Sequence, residues 1–364
     1  MRIFAIILAF LAAPAFAQTI ETTHGEVRVE TVASGFDRPW ALAFLPNGDV
    51  LVTEKFGRIS RVTPGGAIVE IAGAPEVAFE GQGGLLDLVL ASDFEESGEI
   101  YVSYSARADG GLQTRVARAR LDGDRLTDLT VIFRQEPAQR TGRHFGSRIV
   151  VATDGSLFIT VGDRGEPNGS QDLTSHQGSV IRILRDGAPH PDNPFIDNGR
   201  GWRPEIYSYG HRNPQGATLG ADGELWTVEH GAAGGDEINR PEGGRNYGWP
   251  IISYGRNYSG SKIGVGSAAE GMEQPVYYWD PSIAPSGLAF YQGDMFPDWR
   301  GDLLVGALKF QLLSRLDLEN SRVVGEEQML QKQLGRIRDV RVAPDGSIWL
   351  LTDARNASLY RLSR

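Results

Sequence analysis

A two-strand pattern recurs six times along this chain. Each copy opens on a tight turn, in most cases Asp-Gly or Asn-Gly. It runs into a short strand of alternating apolar and polar residues and returns through a second. The copies lead from Asn47-Gly48 into 50–53 and 57–62, from Gly98 into 99–103 and 114–119, and from Asp154-Gly155 into 156–159 and 178–183. They continue from Asp222-Gly223 into 224–227 and 236–239, from Gly301-Asp302 into 303–305 and 312–316, and from Asp345-Gly346 into 347–350 and 358–362. A period of two is the signature of strands, and Asx-Gly supplies the positive φ angles of a hairpin. No long 3.6-residue period competes with it. Repeated strand units that bury their faces only against neighbours build a propeller. The expectation is therefore an all-β, six-bladed β-propeller of four-stranded antiparallel blades over residues 18–364. Six recurrences argue against a pair of β-sandwiches. An early strand at 26–32 belongs to no copy and is expected to complete the last blade, closing the ring and removing a free edge. Long inserts fall at 107–112, 163–198 and 231–279, and loops on one propeller face are where function usually sits.

The first residues read as a secretory signal peptide, 1–17. Arg2 precedes the apolar run 3–13, and Ala15-Phe16-Ala17 forms a small-x-small cleavage site. The run is shorter than the ~18 residues of a membrane span, and nothing later approaches that length. An exported, periplasmic protein with no membrane span is expected. The chain has no cysteine, which excludes a disulfide scaffold, a thiolate metal site and a cysteine nucleophile. Its 36 Lys+Arg against 46 Asp+Glu, with no basic run, exclude nucleic acid as a partner.

Familiar catalytic signatures are absent: no G-x-S-x-G, no P-loop, no H-E-x-x-H. Polar clusters in glycine-rich surroundings stand near the ends of expected inner strands instead. Gln82 lies between glycines and can offer its amide to a ligand that approaches the backbone closely. His144, in Arg143-His144-Phe145-Gly146-Ser147, suits general-base work because its ordinary pKa is ~6.5. Arg212 and Asn213, in Gly210-His211-Arg212-Asn213-Pro214, can grip a carboxylate or quinone oxygen. The stretch His230-Gly231-Ala232 through Asp236-Glu237, followed by Asn246-Tyr247-Gly248-Trp249, offers acidic side chains and free carbonyls to a hard cation such as Ca²⁺. Arg336 and Arg338 share one strand face, and with Lys309 they call for an anion. Taken singly, each cluster also fits a blade-to-blade turn, a loop plug, a capped turn or surface ion pairs. Together they describe one site for a polyanion, a cation and a base.

These residues carry a resemblance. The sequence resembles the soluble pyrroloquinoline quinone (PQQ)-dependent aldose sugar dehydrogenases, of the soluble glucose/sorbosone dehydrogenase family, from about 32 to 361. The matching stretches include Arg38-Pro39-Trp40, Gly81-Gln82-Gly83-Gly84, His144-Phe145-Gly146-Ser147, Gly210-His211-Arg212-Asn213-Pro214-Gln215, Gly235-Asp236-Glu237, Asn246-Tyr247-Gly248-Trp249-Pro250 and Gly335-Arg336-Ile337-Arg338. The resemblance implies a six-bladed propeller with PQQ and Ca²⁺ as cofactors. It implies that His144 takes the C1 hydroxyl proton of an aldose while hydride passes to the quinone. It carries cofactor contacts onto Gln82, Arg212, Asn213, Tyr258, Lys309, Arg336 and Arg338. It places a calcium on the carbonyls of Gly231 and Ala232, and a second, structural one at Glu237 and Tyr247. The substrate would be a small aldose, the final electron acceptor a separate and unidentified partner, and the protein a monomer or homodimer. The glucose-dehydrogenase branch has an acid where Arg143 stands, a Pro where Ala232 stands, and longer loops, so a broad aldose specificity is expected. A calcium-dependent sugar lactonase and a non-catalytic carbohydrate-binding propeller remain the alternatives.

Overall fold

The structure is a computed structural model that describes residues 17–364. The expected signal peptide, apart from Ala17, lies outside the described residues. Six antiparallel sheets form a ring, a six-bladed β-propeller. We number the blades in chain order. Their inner strands are Pro39–Phe44, Leu85–Leu90, Ile149–Val151, Pro214–Leu219, Pro285–Phe290 and Ile337–Val342. In every blade the recurring sequence unit forms the second and third strands. Blade one, for example, pairs Val50–Glu54 with Arg58–Val62.

The apolar alternation is explained by what lies on each side of a blade. Both sheet faces are covered by neighbouring blades, so alternate residues feed two different interfaces. Leu51 and Ile59 pack with Leu85, Leu88 and Val102 of blade two. Val50, Val52 and Val62 point the other way, to Leu351 and Leu359 of blade six. Blades two and three meet through Tyr101, Val116 and Ile159, and blades three and four through Val150, Phe158 and Ala217. Trp226, Val228 and Leu303 lie between blades four and five, and Leu304, Leu313 and Leu350 between five and six. The apolar core is therefore six sandwiched layers rather than one centre.

The early strand closes the ring as expected. Gly25–Phe36 pairs with Ala357–Ser363 as the fourth strand of blade six, with Val29 opposite Leu362. Blade six departs from four strands, because Ala17–Thr22 adds a fifth on its outer edge. Two expected inserts also differ. Residues 107–112 are the tip of a long hairpin, Glu99–Ala108 with Gly111–Asp122, whose pairing continues to Ala108 opposite Gly111. The segment 231–279 contains two blade-four strands, Asp236–Asn239 and Tyr277–Trp279, and only the chain between them is a long loop.

The inner strands are tied together by buried charge. Arg148 donates to Asp87 at 3.0 Å and pairs with Asp339 at 3.1 Å. Arg341 meets the same two carboxylates at 3.0 and 3.1 Å. The free valences are filled by backbone: Ile149 N–H donates to Asp87, Leu42 N–H to Asp339, and Arg148 Nε to the carbonyl of Gln215. Asp87, Arg148 and Asp339 are essentially inaccessible to water. Removing one charge from such a set leaves its partner buried and unpaired, which costs about 3–5 kcal/mol. Asp87→Asn should therefore lower the free energy of unfolding by an amount in that range, read as a lower urea midpoint. An unchanged midpoint would show that the quartet does not hold the ring.

Candidate functional site

An antiparallel blade brings the start of its first strand and the end of its second to the same edge, so two sets of residues converge on one face of the ring. The first set precedes or begins the inner strands: Gln82, His144, Arg212 with Asn213, and Arg336 with Arg338. The second set follows the second strands: Lys55 after Val50–Glu54, Asp163 after Leu157–Val161, His230 after Leu225–Glu229, Lys309 after Leu303–Ala307, and Asp353 after Ile348–Thr352. The sequence motifs contain all of the first set, and His230 and Lys309 of the second. Lys55, Asp163 and Asp353 were not singled out, although their position just after each recurring strand is a signal that can be read.

His144 is the best-defined member. Its backbone is held at φ +55°, a conformation that non-glycine residues adopt only when the surroundings enforce it. Its N–H donates to Gln82 Oε1 at 2.8 Å. Its Nδ1 lies 2.7 Å from Asp163 Oδ1, and its side chain is 13% exposed. Asp163 also accepts from Gly165 N–H at 2.7 Å and from Trp249 Nε1 at 2.9 Å. Burial opposes ionisation of Asp163, but the hydrogen bond from His144, the Gly165 amide and Arg212 outweigh that and hold the carboxyl below its usual range. An ionised Asp163 fixes the proton on His144 Nδ1 and leaves the Nε2 lone pair free. The loop carrying His144 rests on buried Arg164. That guanidinium donates to the carbonyls of Arg143, Leu112 and Thr141 and to Gln135 Oε1, and stacks 3.6 Å from the centre of the Phe145 ring.

Trp249 explains why 246–250 is a motif. Besides pinning Asp163, its ring faces the Arg212 guanidinium at 5.2 Å. The segment reaches that place because Trp249 N–H bonds to the carbonyl of Gly210 at 2.8 Å. Gly210 has φ +78°, and a Cβ there would meet Asn246 Oδ1 and Gly248 N at 2.2 and 2.6 Å. Only glycine fits.

Arg212 donates to Glu229 Oε2 from its backbone and to the carbonyl of His230 from Nη1, but its Nε is buried with no partner among the described residues. Arg338 is alike. It donates to Gln215 Oε1 at 2.9 Å and to Asp353 at 2.8 Å, and its Nε is left over. Arg336 shares Asp353 at 3.2 Å. Burial works against Asp353, yet Arg338 and Arg336 outweigh it and hold the carboxyl down to about 2. Asn213 accepts from Gly146 N–H at 3.2 Å, next to the His144 loop. Lys309 is exposed beside Leu308, whose carbonyl accepts from Arg336. Burial, then the charges of Arg212 and Arg338, lower the pKa of His230 to about 3, so His230 is neutral.

A second cleft adjoins Arg212. It is lined by Glu229, Gly231, Gly235, Glu237, Tyr247 and Trp249 among others. Glu229 is satisfied by His211 Nδ1, Arg212 N–H and Asn239 Nδ2. Glu237 receives only Asn239 Nδ2, at 3.2 Å. Burial and the negative charge of Glu229 push its carboxyl up to about 8. Asp236 acts structurally, accepting from the backbone of Gly231, Ile283 and Ala284. Tyr247 uses its phenol on Arg240 and Glu242, which leaves its carbonyl as the group available to a cation. Ala232 is buried with Trp249 and Ile263. Among the described residues no three His, Asp or Glu side chains converge for a metal, so backbone oxygens would have to complete any such site. Tyr258 is not brought in. It is 80% exposed in the long blade-four loop, so its side chain stands in solvent.

Comparison with known proteins agrees with this arrangement. The family model described as Glucose / Sorbosone dehydrogenase matches residues 36–361. The aldose sugar dehydrogenase YliI of Escherichia coli is 44% identical over 345 residues, covering 93% of each chain. The solved apo-form of the soluble aldose sugar dehydrogenase of E. coli superposes with a TM-score of 0.90 at 44% identity, over 93% of this chain and 99% of that one. The PQQ-bound form of an aldose sugar dehydrogenase from Streptomyces coelicolor superposes with a TM-score of 0.77 at 30% identity, over 97% and 99%.

The raised Glu237 has a sign that can be tested in chelator. A carboxyl with a higher pKa in the folded than in the unfolded state binds more protons folded, so metal-free stability falls as pH rises from about 4.5 to 8. This one group contributes at most about 1.4 kcal/mol per pH unit. Thermal unfolding should show a wild-type Tm that declines over that window and a flatter profile for Glu237→Gln. Parallel profiles would remove Glu237 from the cleft's electrostatics.

Proposed function

The chain belongs to the glucose/sorbosone dehydrogenase family, and from that premise we propose that it is a periplasmic quinoprotein oxidising the C1 hydroxyl of aldose sugars to lactones, with PQQ and Ca²⁺ as cofactors. It is an enzyme, a sugar-oxidising dehydrogenase. The observation that carries the finer reading is the His144–Asp163 pair standing beside a group of cations that has too few anions of its own. Arg212, Arg336, Arg338 and Lys309 have Asp353 among them, and two guanidinium nitrogens are buried without partners. Three carboxylates on the quinone match that imbalance. Gln82 and Asn213 border His144 and are assigned to the same ligand. Tyr258 reaches it only through a change of its loop.

His144 Nε2 takes the proton from the sugar hydroxyl, while Asp163 keeps the ring oriented and stabilises the imidazolium that forms. Trp249 holds the Asp163 carboxylate, and Gln82 holds the backbone that carries His144. Arg212 and Arg338 hold the ligand's negative groups at a fixed distance from His144, so the sugar meets the base and the acceptor together. When bound, the quinone supplies the hydride acceptor that no side chain here can provide, and calcium polarises it. Carbonyls of Gly231 and Ala232 are assigned to that calcium, and Glu237 with the Tyr247 carbonyl to a second ion. The repelling pair Glu229 and Glu237 favours a cation there. No helix among the described residues is long and apolar enough to cross a membrane. The leader-like residues 1–17 support export.

Reconstitution tests the reading. Chelated protein is given PQQ and Ca²⁺ together and singly, and dye reduction is followed with glucose, xylose and a disaccharide. Turnover should need both additions. His144→Ala should abolish it while PQQ still binds, and Asp163→Asn should lower kcat by roughly 10²–10⁴-fold through the wrong tautomer. Lactone hydrolysis without PQQ, and no response to it, would place the protein among the lactonases instead.

A further inference from the structure

We propose that Lys55 is a further cofactor-holding residue, supplying from blade one a positive charge to the carboxylate grip. The inference rests on the quinone reading above. Blades two to six each place an assigned residue on the functional face, and blade one alone has none. Lys55 stands at its equivalent position, in the turn after the second strand, where blade five carries Lys309.

The local geometry holds it there. Lys55 N–H donates to the carbonyl of Arg38, and its own carbonyl accepts from Leu85 N–H at 2.8 Å. The glycine loop that presents Gln82 lies directly on it: Gly84 has φ +132°, and a Cβ there would sit 2.0 Å from the Lys55 carbonyl oxygen. The side chain is half-buried. Its Nζ is 3.4 Å from the carbonyl of Gly81 and 5.8 Å from the centre of the Phe79 ring. The charged groups around it are Arg336, Arg338 and Asp353 from blade six and Arg38 from the segment before blade one. The 72–84 loop adds Glu80, which reaches Arg107 instead at 3.4 Å. Four cations thus share two carboxylates, Asp353 and the Asp37 that Arg38 meets at 3.4 Å. A lysine usually extends its ammonium to water. This one is kept partly out of water, among like charges, beside the residues assigned to the quinone's carboxylates.

The electrostatics agree. Burial, then Arg338, with Arg38 and Arg336 adding, pull the Lys55 ammonium down to about 8, against Asp353. An arriving anion favours the protonated form. Affinity is therefore full below pH 8 and declines above it, and binding near pH 8 takes up a proton.

PQQ binding to chelated protein in CaCl₂ is measured by calorimetry at pH 7 and 9 for wild type, Lys55→Met and Lys55→Arg. Wild type should weaken on the order of tenfold between the two pH values, in line with one proton per pH unit above a pKa near 8. At pH 8 its heat should depend on the buffer's ionisation enthalpy. Lys55→Met should bind at least several-fold more weakly at pH 7 and lose the pH dependence. Lys55→Arg, whose charge does not titrate, should bind as tightly at pH 9 as at pH 7. Wild type that binds PQQ with no pH dependence, or Lys55→Met that matches it at both values, overturns the assignment. Wild type that fails to bind PQQ at either pH overturns the quinone reading itself.

Discussion

Two arginines and two aspartates along the axis set the relative positions of the blades. Arg148 and Arg341 each touch both Asp87 and Asp339, and their backbone partners extend the set to blades one, three and four. Blade five joins by close approach, since a Cβ at Gly287 would meet Asp339 Oδ1 at 2.7 Å. The six apolar layers supply most of the burial. Charges deep in a low dielectric are unforgiving of misplacement. They fix where each inner strand stands, and so where its first residues emerge.

The functional face inherits that order and reverses its electrostatic logic. On the axis every positive charge has its negative partner. At the strand tops arginines and lysines crowd about Asp353, and in the adjoining cleft Glu229 and Glu237 crowd each other. One region lacks anions and the other lacks a cation. A ligand of the opposite sign would relieve either imbalance. His144 is oriented by Asp163 rather than by solvent.

Much of this was legible in the sequence. The period-two units gave the blade number, since each must bury two faces. The orphan strand at 26–32 gave the closure, since a ring cannot leave an edge. His144, Arg212 and Arg338 were visible because glycines frame them. Asp163, Lys55 and Asp353 carry only a positional signal, the place just after a recurring strand, and it gains meaning when an antiparallel return lifts them beside the inner strand of the same or the next blade. The hairpin tip at 107–112 was misread as an insert because its polar residues conceal continued pairing. The long loop after Asn239 gave no period at all, and its function at Trp249 depends on a close approach to Gly210 that no local pattern reveals.

The closing strand has a consequence for how the molecule comes into being. Gly25–Phe36 emerges first, yet its partner Ala357–Ser363 emerges last. Five blades can assemble in succession from local hairpins, but the sixth waits for the whole chain, and non-local pairing of this kind is slow. Arg336 and Arg338 lie on that sixth blade. A chain cut short at either end would keep most of its sheets and lose the one that completes the binding face. Those two arginines thus take their place only when the first and last strands have met.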